Sequence, residues 1–273
     1  FNAAAVGNVV TLTAVHGGTA FNCLGLEDRP YFGYKVPSGL TVQWAQTVQG
    51  SVDPDLSVAL AGLSDCCFEC LAMGWQNPTT TLVLAREMDR RWDCNGSGCM
   101  GHAFTFLQDT VPNMVAFATV TDFPHITYGP LPCDYKYLGF MLSAAWAGRQ
   151  CCNYCQNNDP GVPSVRSNGV LACLCDPGLC AGGPFTRDEQ ELMARAGIAT
   201  WSIDKSGQLF IENNITNWKR NQLGQFDNRY TQVSSRYLLM TLRDLFSQFN
   251  RTYYSAHKVV ANGVTVPTTL WAE

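Results

Sequence analysis

Hydrophobic and polar positions change period along this chain in a way that separates strands from helices. Residues 9–15, VVTLTAV, alternate and are β-branched, which predicts a strand closed by Gly17-Gly18, and residues 40–48 predict a second. From Asp53 the period lengthens. Asp53-Pro54 offers a cap and a proline at the first helical position, where a missing amide hydrogen costs nothing, and Leu56, Leu60 and Leu63 then share one side of a helix. Residues 66–73 form an apolar run of strand length. Asn77-Pro78 repeats the capping device before a helix that buries Leu84, Met88 and Trp92, with Glu87 and Arg90 or Arg91 as a surface pair. Residues 102–105 read as a strand, 109–120 as a helix and 124–128 as a strand. This alternation over 40–128 argues for a parallel sheet with helices on its faces. A longer helical stretch, 132–156, ends at Asn157-Asn158-Asp159-Pro160, and the Gly-, Pro- and Cys-rich residues that follow read as an irregular connection.

The last third has the sharpest boundaries. Thr186 followed by Glu189 is a capping box, and Gly197 stands where a left-handed residue would end that helix. Residues 198–203 and 208–215 are β-prone runs joined by Asp204-Lys205-Ser206-Gly207, which predicts a hairpin. A polar loop through Gly224 and Asp227 leads into a helix whose Leu238, Leu242, Leu245, Phe249 and Tyr253 form one apolar stripe. That stripe is expected to pack, leaving Arg236, Arg243 and Asn250 on another face, either solvated or at an interface. The fold class is therefore α/β, a mixed sheet with flanking helices, plus a C-terminal helix-hairpin-helix α+β unit. The expected divisions are a β-rich lead-in (1–50), an α/β body (51–160), an irregular connection (161–185) and a C-terminal unit (186–273).

Composition narrows the function. With 273 residues, 46% of them hydrophobic, the chain can fill a substantial core. A net charge of -4 leaves no basic excess to neutralise phosphates, so direct nucleic-acid binding is not expected. The longest strongly apolar run, 137–148, is shorter than a bilayer span and contains Ser143, so no membrane insertion is expected. Because the chain starts at Phe1, it is expected to begin inside a longer gene product.

Thirteen cysteines are an odd number and cannot all pair within the chain. Cys66-Cys67 with Cys70, and Cys151-Cys152 with Cys155, each contain a CxxC, the half-site of a zinc module, although neither has knuckle glycines. Disulfides among Cys94, Cys99, Cys173, Cys175 and Cys180 are a second reading, and buried free thiols acting as small hydrophobes a third, which core elements favour. Asn95, Asn214 and Asn250 each head a glycosylation triplet, so a secreted cysteine-rich glycoprotein is the alternative to a structural protein. Hydrolase, metalloprotease, Walker and dinucleotide motifs are missing, and His16, His102, His125 and His257 show no metal spacing. Neither catalysis nor a cofactor is expected.

The order and wording of the motifs resemble the tail sheath proteins of contractile-tailed, Mu-like bacteriophages. The resemblance is carried by Val10-Thr11-Leu12-Thr13-Ala14 with His16 and Gly18; by Asp53-Pro54-Asp55-Leu56 with Ala59-Leu60 and Leu63; and by Asp89-Arg90-Arg91-Trp92 ahead of Gly101-His102-Ala103-Phe104-Thr105. Asn158-Asp159-Pro160 agrees with a corner in that family. The C-terminal unit adds Gly197-Ile198, Asp204, Gly207, Ile211-Glu212 and Ile215-Thr216, then Gly224, Asp227, Tyr230 and Tyr237-Leu238 to Leu242-Arg243.

What this resemblance implies is a sheath subunit that polymerises helically, as stacked six-membered rings, around an inner tail tube and contracts to drive the tube through a host envelope. Its partners would be copies of itself, the tube protein, and baseplate and tail terminator proteins; it would assemble in the host cytoplasm and reside in the virion tail. Strand-exchanging arms would lie largely outside these residues, beyond Val266-Pro267-Thr268-Thr269-Leu270 at one end. The resemblance shifts the C-terminal charges toward an interface role, and the expected set is Lys219, Arg220, Asp227, Arg236, Arg243, Arg251 and Lys258.

Overall fold

A computed structural model of the chain describes all residues except 16, 20, 23–36, 46–47, 94–97, 133–134, 136–137, 157–168, 176–183 and 254–273, with no side chains at 153–156, 169–170, 172–175 and 253. The predicted Asn158-Asp159-Pro160 corner, His16, His257 and Lys258 lie outside the described residues.

The chain opens with an antiparallel hairpin, β1 (Asn2–Val6) and β2 (Val9–Thr13), turning at Gly7. Only β2 was legible, because the alanines of β1 give no β-branched signal. Within the strand expected over 40–48, residues 40–45 are exposed and pair with no strand among the described residues; alternation alone does not supply a neighbour. Helix α1 (Leu56–Leu63) starts two residues later than expected. Asp55 is its cap, accepting the Ser57 amide, whereas Asp53 accepts hydrogen bonds from the Thr19 amide and hydroxyl.

The body is a three-stranded parallel sheet of β3 (Cys70–Ala72), β4 (His102–Gln108) and β5 (Ile126–Leu131), in sequence order. Helix α2 (Pro78–Trp92) connects the first pair, capped by Asn77 as expected, and α3 (Val111–Val120) connects the second. Every residue of β4 is buried, as befits a central strand covered on both faces. The Glu87 pair is not wholly on the surface. Arg91 is fully buried, bonded to Glu87 and to the carbonyls of Cys66 and Ser64. Helix α4 (Gly139–Gln156) lies across the parallel sheet. Gly129 lets it approach: a Cβ there would sit 3.2 Å from both Leu142 and Trp146.

A second, antiparallel sheet follows, in the order β6-β8-β7. Strand β6 (Gly169–Cys175) lies inside the stretch read as irregular, so the expected two-stranded hairpin has three strands. Helix α5 (Arg187–Arg195) carries the capping box at Thr186 and Glu189, and Gly197, at φ +81°, turns the chain out of it. Strands β7 (Thr200–Ile203) and β8 (Gln208–Asn213) pair across the Asp204 turn, where the carboxylate accepts the amides of Ser206 and Gln208. Helix α6 (Val233–Tyr253) ends the described chain. The fold is thus α/β with parallel and antiparallel sheets. The two sheets share one hydrophobic core, joined where the Ala199 amide donates to Tyr128 O and Trp201 Nε1 donates to Pro130 O at 2.7 Å.

Candidate assembly surface

Helix α6 presents the body with a face that its apolar stripe did not foretell. Val233, Arg236, Tyr237 and Met240 are buried, while Leu238, Leu242, Leu245 and Phe249, the stripe expected to pack, are 41–52% exposed. Arg236 is the pivot. Its guanidinium lies 3.8 Å from the centroid of the Trp92 ring and 4.7 Å from that of Tyr230, and Nη2 donates to His125 Nδ1 at 2.6 Å. The His125 ring stacks on the other partner of the pair, with centroids of Trp92 and His125 4.6 Å apart. A cation held between aromatic faces and a neutral imidazole can be buried without a carboxylate in direct contact. Burial lowers the Arg236 pKa to about 10, which leaves it charged at neutral pH.

The two buried histidines must stay neutral for this arrangement. His125 accepts at Nδ1, so its proton sits on Nε2, which faces Asp89 at 3.5 Å. Burial, the Arg236 charge and His102 together push its pKa far down, and burial with Arg236 pushes that of His102 to about 3. In the unfolded chain both would titrate near pH 6.5. Above that pH neither state binds these protons; below it only the unfolded state does, so stability falls as pH drops through this window. At pH 5 the expected cost is about 2 kcal/mol per histidine. Urea midpoints at pH 7.5 and pH 5.0 check this, and equal midpoints would contradict it.

The other charges expected at an interface divide. Lys219 is half-buried and its ammonium donates to the carbonyls of Ala118, Thr121 and Asn217, closing the C-terminal end of α3. Burial lowers its pKa to about 8, against the opposing pull of Asp122. Asp227 is buried and bonded to Arg229, and Arg243 donates from Nη1 to Trp92 O at 3.1 Å. Arg220 and Arg251 are exposed. What the sequence reading missed is apolar: besides the α6 stripe, Leu223 and Phe226 stand out on the loop after β8.

The cysteines resolve into different roles. Cys67 bonds Cys99, with Cα atoms 4.7 Å apart. Cys99 was among the expected bridge formers, whereas Cys67 had been placed in a zinc half-site. Cys70 Sγ lies 2.8 Å from Tyr237 Oη and beside Cys151, and burial raises its pKa to about 12, which keeps the thiol protonated at neutral pH. Among the described residues no group of three metal-ligating side chains converges. Asn214 is fully buried and accepts from Trp146 Nε1, which removes that glycosylation triplet from solvent.

No protein-family model matches the chain. The tail sheath protein of a Mu-like prophage of Haemophilus influenzae aligns over 97% of it, with 22% identity across 267 residues. The chain is thus similar to a phage tail sheath protein. It spans about half, 52%, of the length of that relative. A crystal structure of a sheath tail protein from Desulfitobacterium hafniense covers 73% of this chain and 43% of its own, at 12% identity and a TM-score of 0.46, a likeness too distant to carry an argument. Among the described residues no helix is long and apolar enough to cross a membrane.

Proposed function

We propose that the chain is part of the subunit of a contractile tail sheath. Copies polymerise helically around an inner tube and change lattice on contraction, with the tube, baseplate and terminator proteins as further partners and the virion tail as its location. The alignment to a named sheath protein along nearly the whole chain carries this reading. It is supported by a body that exposes large apolar side chains, including Leu223, Phe226 and Phe246, each at least two-thirds exposed. Rigid bodies with adhesive surfaces suit a polymer whose work is stored in packing geometry, and such a protein needs no catalytic centre. Electron microscopy of the full-length gene product tests this. Hollow tubes built of six-membered rings are expected; a solitary monomer under all ionic conditions, or a glycosylated secreted product, would overturn it.

A further inference from the structure

Strand β3 and helices α4 and α6 bring two thiols and a phenol together. A Cβ on Gly74 would stand 3.8 Å from Phe140 Cβ, and Ser143 Oγ donates to Met73 O at 2.8 Å, so α4 runs antiparallel to β3. Cys151 follows Phe140 by eleven residues, about three helical turns, and therefore projects from the same side of α4. That advance is about 16 Å, against about 13 Å for the four residues from Gly74 back to Cys70, so the two cysteines come level. The Cys151 side chain is accordingly close enough to share a hydrogen bond with Cys70, whose Sγ also lies 2.8 Å from Tyr237 Oη. Cys70 and Cys151 are free and partly buried, Cys66 and Cys152 are free and exposed, and Cys67 is already bonded to Cys99.

We infer that Cys70 and Cys151 are a latent disulfide, closed by exchange with a small-molecule disulfide of the glutathione class. Burial first, then the neighbouring Cys151 and Glu69, disfavour the Cys70 thiolate, and the thiolate is the attacking form, so exchange begins at Cys151. Its sulfur bonds to one sulfur of the oxidant; the oxidant's S–S bond breaks, and the departing thiolate takes up the proton that Cys151 gave away. Cys70 then attacks the Cys151 sulfur of this mixed disulfide, and its proton passes to the second departing thiolate. Both cysteine thiols are thereby oxidised and one small disulfide is reduced to two thiols, with no other reactant. The new bond fixes α4 to β3 and removes the thiol hydrogen of Cys70 from beside Tyr237, so the seat of α6 feels the redox state. The reaction belongs to the folded chain and needs no polymer, so its failure would leave the sheath reading untouched.

Peptide mapping of the whole folded chain tests the pairing, after incubation with millimolar oxidised glutathione and alkylation of the thiols that remain. The peptides holding Cys70 and Cys151 should be recovered joined. Cys70→Ser should stop at the mixed disulfide, with glutathione left on Cys151. Cys151→Ser should leave Cys70 modified at least ~10-fold more slowly than the exposed Cys66, because a buried, protonated thiol has no partner to open the exchange. Folding of each variant is checked by thermal melting, and Cys70→Ala takes the place of Cys70→Ser if the serine is not tolerated. Recovery of Cys70 and Cys151 unlinked in the parent overturns the inference, as does Cys70 joined instead to Cys66 or Cys152. Glutathione on Cys70 of Cys151→Ser as fast as on Cys66 would overturn the entry through Cys151.

Discussion

Replacing Arg236 by Glu is expected to cost about 4 kcal/mol of stability, a large share of the roughly 5–15 kcal/mol that holds a domain folded. From the sequence, Arg236 is expected at an interface, where a reversed charge would impair assembly rather than folding. Burial reverses that order. Arg236 is 3% exposed and contributes a cation to Trp92 and Tyr230 and a donor to His125. A carboxylate in its place would face aromatic rings and an imidazole nitrogen that no longer has a donor, with desolvation opposing its charge. Arg236→Met, which keeps the stem and drops the charge, should be milder, because it leaves no buried ion behind. Arg220→Glu, on an exposed side chain, should shift stability by less than about 0.5 kcal/mol. Urea titrations of the three variants decide the matter: an Arg236→Glu midpoint near the parental one would mean that the helix seats differently.

The second large effect is expected at Trp201. Its ring is fully buried against Tyr135 and Phe185, and its indole nitrogen donates to Pro130 O of β5, so one side chain ties the antiparallel sheet to the parallel one. Trp201→Ala should cost about 3–5 kcal/mol through lost burial and the cavity left behind. Trp201→Phe should retain most of the packing and lose the hydrogen bond, leaving Pro130 O short of a donor, for about 1–3 kcal/mol. Should the two substitutions cost the same, the hydrogen bond rather than the packing would dominate the junction.

Local chemistry was read from the sequence where the signal is itself local. The Thr186–Glu189 box, the Asn77-Pro78 start, the left-handed Gly197 and the Asp204 turn each depend on a few adjacent residues, and each appears where expected. The same holds for the parallel pairing of β3, β4 and β5, since strands alternating with helices favour a parallel sheet. Strand β6 was hidden because Gly, Pro and Cys around it signal a loop, and only its pairing with β8 makes it a strand. Lys219 looked like a surface charge because the carbonyls of α3 that it closes lie about a hundred residues away in sequence.

For α6 the division is plainest. Periodicity by itself determined that Leu238 to Tyr253 lie on a helix, since steps of three and four recur whichever face is buried. It could not choose the face. Val233, Tyr237 and Met240 make a second line with the same spacing, and the tertiary structure selects it because the body offers Trp92, Tyr230 and His125 to one arginine that lies on that side. The leucine stripe is thereby turned outward. Sequence fixes period through backbone geometry; burial is decided by the partners that folding brings from elsewhere in the chain.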